Sequence, residues 1–269
     1  MITVSIVTYN TSLTELEKVL ECLATEPVDV IYVVDNSSSR KIEEFLKSHD
    51  KVIYIPSAND GYGSGHNQAI RLAAERKSKY HVVLNSDIYW FKPVISVMSE
   101  YMDNHAEVGL SSPKMFYPDG RLQAVCKKVP SPFDLFARRF LPAKWIKRHN
   151  DRFTLRATGY DHRMNIPYLS GSFMFFRVSA LLDVGFFDER FFMYPEDIDI
   201  SRRMHKKYAT MFLPEVEIIH AHNAASYKSM KMLWVHVSNL VKYFNKWGWF
   251  IDKDRREINR ELIRRENLD

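Results

Sequence analysis

The chain has 269 residues and a formal net charge of +5; 46% of its residues are hydrophobic, 26% are charged and two are cysteines. That balance excludes wholesale disorder and suits one large α/β core or two small ones. Cys22 and Cys126 share no metal-ligand spacing, so the thiols suggest a reducing compartment rather than a disulfide scaffold.

The N-terminus enters an apolar, β-branched run at Thr3–Thr8 without a basic leader or a small-residue cleavage site. No apolar run approaches the ~18 residues of a spanning helix. The expectation is a cytoplasmic protein, or one resting peripherally on the inner face of the plasma membrane without crossing it. Three further runs follow, at Val30–Val34, Val52–Ile55 and His81–Leu84, separated by stretches of helical period such as Leu13, Leu16, Val19, Leu20 and Leu23. Strands apolar along their whole length predict a parallel sheet covered on both faces.

Each strand runs into polar or glycine-bearing residues: Tyr9-Asn10-Thr11, Asp35-Asn36-Ser37, Asn59 through Gly65, and Asn85-Ser86-Asp87. One such segment alone is an ordinary turn. Four together predict a ligand crevice, because open parallel sheets bind ligands beyond the carboxyl ends of their strands.

Past residue 105 the rhythm changes. A hairpin is predicted over Gly109–Gln123, turning at Pro118-Asp119-Gly120. Residues 127–156 carry nine Lys/Arg against two Asp/Glu, interleaved with Phe133, Phe136, Phe140, Leu141, Trp145 and Ile146. In particular, Phe133, Phe136, Phe140 and Trp145 alternate with Arg138, Arg139, Lys144 and Lys147, which suits an interfacial helix or a flap over an acceptor. A strand around Tyr168–Phe176, a helix opening at Pro195-Glu196-Asp197, a strand ending at His220 and a helical stretch from Met230 complete the chain. Residues 228–269 hold ten basic and six acidic residues, so the remainder is acidic. An acidic body with two basic segments does not make a continuous phosphate-tracking groove, and no nucleic-acid partner is expected. Two patches touching an anionic membrane fit better.

Ser5-Ile6-Val7-Thr8-Tyr9-Asn10, Gly171-Ser172-Phe173-Met174 and the run from Gly185-Phe186-Phe187-Asp188-Glu189-Arg190 through Phe191-Phe192-Met193-Tyr194-Pro195-Glu196-Asp197-Ile198-Asp199 resemble the family-2 inverting glycosyltransferases, above all bacterial rhamnosyltransferase-like members. The resemblance implies a GT-A-type α/β fold, a mostly parallel central sheet flanked by helices with a C-terminal helical extension. Residues 1–227 would be the transferase domain, divided into a donor nucleotide-binding half (1–105) and an acceptor and catalytic half (106–227). Residues 228–269 would be the basic, aromatic extension. The implied partners are a nucleotide-sugar donor, dTDP-L-rhamnose first and UDP-hexoses next, and a saccharide or lipid-linked acceptor of a bacterial surface glycan. Oligomeric state is left open.

By the same resemblance, Thr8, Tyr9 and Asn10 line the nucleotide pocket, Asp35 bonds the base or ribose, and the loop from Asn59 through Gly61 and Gly63 to Asn67 approaches the donor closely. No Lys-Ser/Thr follows that loop, so it is not a Walker A sequence. The family's Asp-x-Asp stands here as Asn85-Ser86-Asp87, leaving Asp87 as a ligand for Mg²⁺ or Mn²⁺ beside the donor-binding Asn85 and Ser86. His220, or alternatively His222, would add an imidazole. Asp197 is the candidate general base, although Pro195-Glu196-Asp197 is also how an ordinary helix begins, with Asp199 extending its acidic first turn. Arg202 and Arg203 would pair with these acids or be solvated. The competing functions are weaker. A Rossmann oxidoreductase needs a glycine fingerprint after the first strand, where Tyr9-Asn10-Thr11-Ser12 stands. A nucleotidyltransferase needs an N-terminal basic loop. A non-catalytic sugar-nucleotide binder is suggested only by Asn85.

Overall fold

The structure, a computed structural model, describes residues 1–221 and 230–268, and within them the side chains of all but residues 137–140, 143 and 231. The strands are β1 (Ile2–Thr8), β2 (Val30–Asp35), β3 (Val52–Pro56), β4 (Tyr80–Leu84), β5 (Ile88–Tyr89), β6 (Val108–Phe116), β7 (Met164–Asn165), β8 (Phe173–Arg177) and β9 (Ala209–His220). The helices are α1 (Leu13–Ala24), α2 (Glu43–Leu46), α3 (Tyr62–Glu75), α4 (Ile95–Asn104), α5 (Pro132–Phe140), α6 (Ala143–Phe153), α7 (Val178–Val184), α8 (Glu196–His205), α9 (Met230–Trp247) and α10 (Lys253–Arg265). Among the described residues no helix is long and apolar enough to cross a membrane.

All the strands join one sheet in the order β3-β2-β1-β4-β8-β6-β9-β5, with β7 on β9. The first four pair in parallel, as their continuous apolar runs require. Helix α1, capped by the Ser12 hydroxyl, buries Leu16, Val19, Leu20 and Leu23 on this half. Thr8 pairs with Asp35, and Asp35 with Pro56, so the polar ends of three strands reach the same edge.

Beyond β4 the sheet is mixed. β8 runs antiparallel to β4 and β6, β9 parallel to β6, and β5 and β7 antiparallel to β9. The mostly parallel sheet expected from sequence is therefore a property of the N-terminal half. The strand predicted over Tyr168–Phe176 begins only at Phe173, because Gly171 and Ser172 turn into the crevice instead of extending the ladder. The hairpin forms as predicted: Tyr117 N–H donates to Arg121 C=O, and Gly120 supplies φ of 82°.

The main core is continuous under the sheet. A second cluster joins Phe153, Tyr168, Phe191, Ile198, Tyr243 and Phe244, so the basic segment, α8 and α9 pack on one another. The predicted boundary at 227 and His222 lie outside the described residues.

Candidate active site

At the first two strand ends, the Asp35 carboxylate is almost fully buried. Its Oδ1 accepts from Thr8 Oγ1 and from the Ser37 N–H, both at 3.0 Å, and its Oδ2 accepts from Tyr54 OH at 3.0 Å. Burial and the Asp35 charge push the Tyr54 phenol up to about 12. Thr8 itself is sealed beneath Asp35 and orients it. Asn10 adopts φ of 52° and donates its N–H to Ser37 Oγ at 2.7 Å, which leaves Tyr9 projecting, 61% exposed, over the strand edge. Asn36 Nδ2 reaches Asn59 Oδ1 at 3.5 Å, and Asn36 Oδ1 is buried with no partner. An orphaned acceptor at the strand edge is a group that a ligand N–H or O–H would satisfy.

The glycine-bearing stretch packs within the chain itself. Gly61 and Gly63 are buried, and the latter already lies in α3. At Gly61, φ is 109° and a Cβ would fall 2.2 Å from Phe192 O; a Cβ at Gly63 would meet Phe187 Cβ at 2.9 Å. Asn67 is sealed as well: its amide donates to Phe187 O (2.9 Å) and Glu189 Oε1 (2.8 Å) and accepts from the Phe187 N–H (3.0 Å). These three residues seat the 185–196 segment, and the close approach that the two glycines allow is between two stretches of this chain.

Gly171 is the junction of the site. A Cβ there would lie 2.8 Å from Asp197 Cβ. Its N–H donates to Asp197 Oδ2 (3.1 Å), its carbonyl accepts from Tyr62 OH (2.7 Å), and the Ser172 carbonyl accepts from the Asn85 N–H (2.9 Å). One tight turn thus fixes the ends of α3, β4 and α8 together. Tyr62 OH also lies 2.9 Å from Asn85 Oδ1. Burial, and then the Glu196, Asp197 and Asp87 charges, hold that phenol well above its usual range.

Asp87 and His220 are brought together, with Asp87 Oδ1 3.3 Å from His220 Nε2. The ring is fixed by Gln123, a residue the sequence reading did not single out. Gln123 Nε2 donates to the His220 carbonyl at 2.7 Å, so its amide oxygen is the atom facing Nδ1, at 3.0 Å. Nδ1 then donates to Gln123, and Nε2 is the ring atom that faces Asp87, with Asn85 Nδ2 at 3.4 Å. A ring nitrogen and a carboxylate oxygen at this separation suit adjacent ligands of an octahedral ion with bonds of ~2.1 Å. Among the described residues no group of three His, Cys, Asp or Glu side chains gathers as a metal site, so the remaining ligands would come from donor phosphates and water. Ser86 lies between Asn85 and Asp87, partly buried.

Asp197 opens from the first turn of α8 into a cavity of about 380 Å³ that also reaches Gln123, Lys127, Tyr194 and His220. Its Oδ1 accepts from the Ile198 N–H at 2.8 Å. Burial raises its pKa, opposed by the Lys127 ammonium and by the Gly171 and Ile198 amides. A carboxylate so lifted in a cleft is a stronger proton acceptor than a surface one. Its neighbour Glu196 is nearly sealed, with Oε2 unpartnered, and burial and the Asp197 charge raise it further.

The other α8 charges are structural. Asp199 is fully buried between Arg203 Nε (2.8 Å), Trp247 Nε1 (2.8 Å) and Lys246 Nζ (2.6 Å). Arg203 pairs within the helix as expected, whereas Arg202 reaches away to Asp252 through two bonds of 2.8 and 2.6 Å. Phe136 stacks near Phe244 and Trp249 (centroids 6.3 Å each), so this ring of the basic segment faces inward rather than towards a membrane. The side chains of Arg138, Arg139 and Phe140 lie outside those described.

The sequence profile of "Glycosyl transferase family 2" matches residues 3–185. N-acetylglucosaminyl-diphospho-decaprenol L-rhamnosyltransferase of Mycobacterium tuberculosis is 26% identical over 260 residues, covering 91% of this chain and 85% of that protein. Rhamnosyltransferase WbbL of Escherichia coli K12 is 24% identical over 238 residues, covering 85% of this chain and 87% of that protein. Among solved structures, the mannosyltransferase PcManGT from Pyrobaculum calidifontis, in complex with GDP-Man and Mn²⁺, shares the fold at a TM-score of 0.57 with 17% identity, over 91% of this chain and 63% of that one.

Proposed function

This chain belongs to glycosyl transferase family 2, and from that premise we propose that it moves L-rhamnose from dTDP-L-rhamnose, or failing that a hexose from a UDP-hexose, onto a hydroxyl of a lipid-linked saccharide with inversion. Two relatives are rhamnosyltransferases, one named for a diphospho-decaprenol-linked N-acetylglucosamine acceptor, and both are similar over most of their length. The observation that carries the reading is Asp197: a lifted carboxylate, held by two amides, opening into a cleft that His220 also lines.

Residues 1–105 would hold the donor and residues 106–227 the acceptor. Tyr9 supplies a flat face for the base, Asp35 and Asn59 polar contacts for base or ribose, and Thr8 and Asn10 shape that edge. Asp87 and His220 would hold Mg²⁺ or Mn²⁺ beside Asn85 and Ser86. Bound there with the donor diphosphate, the ion would offset the charge that develops on the leaving group. Asp197 takes the proton from the acceptor hydroxyl as its oxygen attacks the anomeric carbon from the face opposite the departing diphosphate. The exposed Trp145, Lys144, Lys147 and Arg148 of α6 would rest on an anionic membrane surface, where a lipid-linked acceptor resides.

The test is transfer from a panel of nucleotide sugars to a short-chain diphosphate-linked N-acetylglucosamine. Transfer should disappear with excess EDTA, return with Mg²⁺ or Mn²⁺, and be lost in Asp87→Ala. Full activity in EDTA would remove the metal from the reading, and turnover with no sugar nucleotide would remove the reaction.

A further inference from the structure

One wall of the Asp197 cleft comes from a helix that composition sets apart from the transferase domain. His236, Asn239, Leu240, Tyr243, Phe244 and Trp247 recur at the spacing that puts side chains on one face of α9. The lower part of that stripe, from Tyr243 to Trp247, packs into the second core cluster. At its upper end, His236 and Leu240 line the cavity that holds Asp197.

Between these two, the buried Asn239 reaches the segment that leads into α8. Its Nδ2 donates to the Met193 carbonyl at 3.0 Å, and Lys242 Nζ donates to the Arg190 carbonyl at 2.8 Å. From the opposite side the Tyr62 N–H, at the start of α3, donates to the Phe192 carbonyl at 2.9 Å. Two helices thus hold the backbone of residues 190–193, and the next residue, Tyr194, stands at φ of 55°. A bulky L-residue seldom adopts that conformation unless its surroundings impose it, and such residues cluster at functional sites. Here the result is a phenol ring, 37% exposed, that lines the same cavity as Asp197. The ring centroids of Tyr194 and His236 lie 5.2 Å apart with their planes inclined by 58°, so the histidine braces the phenol without stacking over its face.

A pyranose carries its hydroxyls around its rim and presents C–H groups on its faces. A flat aromatic ring with a polar tip matches such a face, and a few polar groups beside it then fix the orientation. Among the described residues, the lining of this cavity includes none of Tyr9, Asp35 and Asn59, the residues assigned to the donor base and ribose. We propose that Tyr194, held in place by α9, is the aromatic platform on which the acceptor sugar lies while its hydroxyl meets Asp197. The inference rests on the acceptor assigned to this cleft above and deepens it. The C-terminal extension thereby takes part in choosing the acceptor, through the backbone it pins and through His236 beside the ring.

Two variants decide it: Tyr194→Leu keeps apolar bulk but loses the flat face, and Tyr194→Phe keeps the face. Octyl N-acetylglucosaminyl diphosphate is titrated by calorimetry in the presence of Mn²⁺ and dTDP, dTDP-L-rhamnose is titrated separately, and transfer is followed in its own assay. In Tyr194→Leu the acceptor affinity should fall about three- to tenfold, the usual size of an aromatic face contact. KM for the acceptor should rise in step, while dTDP-L-rhamnose affinity holds. Tyr194→Phe should bind the acceptor as wild type does. Unchanged acceptor affinity in Tyr194→Leu, an equal loss in Tyr194→Phe, or a parallel loss of dTDP-L-rhamnose affinity overturns the platform even if transfer proceeds. Acceptor binding that follows the expected order, without transfer from any donor, upholds the platform and overturns the reaction instead. No binding of the acceptor by wild type overturns both.

Discussion

Asp197→Asn and Asp199→Asn separate a base from a structural acid two residues away on the same helix. Both acids fit an ordinary helix start, so sequence alone gives them similar standing, but their surroundings differ. Asp197 loses hydration and gains two amide hydrogen bonds, and the balance raises its pKa. A carboxylate whose folded pKa exceeds its unfolded value costs the fold stability at neutral pH, so replacing it by neutral Asn should leave the melting temperature unchanged or slightly higher. Turnover should fall by about 10²–10⁴, because the amide cannot take the acceptor proton, while donor affinity holds. Asp199 is fully buried against Arg203, Lys246 and the Trp247 indole. Neutralising it takes the shared charged acceptor from the part-buried Arg203, from the Trp247 indole and from Lys246, which keeps Asp188, a loss of roughly 1.5–3 kcal/mol, or on the order of 5 °C in a chain of this size. Single-turnover kinetics with saturating dTDP-L-rhamnose, run well below both melting points, would separate the two. Near-normal turnover in Asp197→Asn refutes the base. A kinetic loss in Asp199→Asn without a fall in melting temperature would move the base two residues along.

Gln123→Leu frees the His220 ring from its carbonyl-anchored clamp and should weaken Mn²⁺ binding in the presence of dTDP about 10–100-fold, as loss of an outer partner of a ligating histidine does; an unchanged Mn²⁺ titration by electron paramagnetic resonance would contradict it. His81 and His66 are buried in a chain of hydrogen bonds with Thr3 and Ser5, and burial holds His81 near 3 and His66 well below its usual value. Because both folded pKa values are depressed, their contribution is intact above pH ~6.5 and is lost as pH falls, at up to about 1.4 kcal/mol per pH unit for each histidine; urea midpoints between pH 7 and 4.5 should show a slope that shrinks in His81→Gln. Replacing Lys144, Trp145 and Lys147 together by Ser should weaken sedimentation with anionic vesicles, each lysine contributing about 1 kcal/mol at low salt. Wild-type protein that binds neutral and anionic vesicles equally would remove the membrane reading.

What was legible in the sequence follows the range of the interactions concerned. Parallel β1–β4 announced itself because each strand is apolar throughout, a local signal, and the four polar strand ends then followed from register. Asp87, His220 and Asp197 were named through the resemblance, and their surroundings make chemical sense of the choice. Gln123 was invisible: it sits in a hairpin, and its meaning depends on a histidine 97 residues away. Gly61, Gly63 and Asn67 have a packing role that was hidden for the same reason. Glycines after a strand suggest close approach, but sequence does not say to what, and the stretch approached within this chain is the one at Phe187 and Phe192. Asp199 likewise fits a helix start until Trp247 and Lys246 arrive from the C-terminal region.

That last contact changes how the C-terminal helices are understood. The family profile ends at residue 185, short of the helix that carries the proposed base. Helix α8 presents Asp197 towards the cleft and its remaining charges elsewhere. Asp199 is held by Lys246 and Trp247 of α9, and Arg202, almost fully buried, meets Asp252 in a two-pronged pair with its guanidinium 4.1 Å from the Trp247 ring centroid. Removing one partner from a buried ion pair is far costlier than never having built it. α9 and the N-cap of α10 therefore supply partners for two charges within five residues of Asp197, Asp199 and Arg202. The first turn of α8 must hold a lifted carboxylate steady, an arrangement that does nothing for its own stability, and the pairs on the far side of the helix supply the rigidity. Residues 228–269 are thus a separate segment by composition, but the described part of them is a structural support of the helix that carries the proposed base.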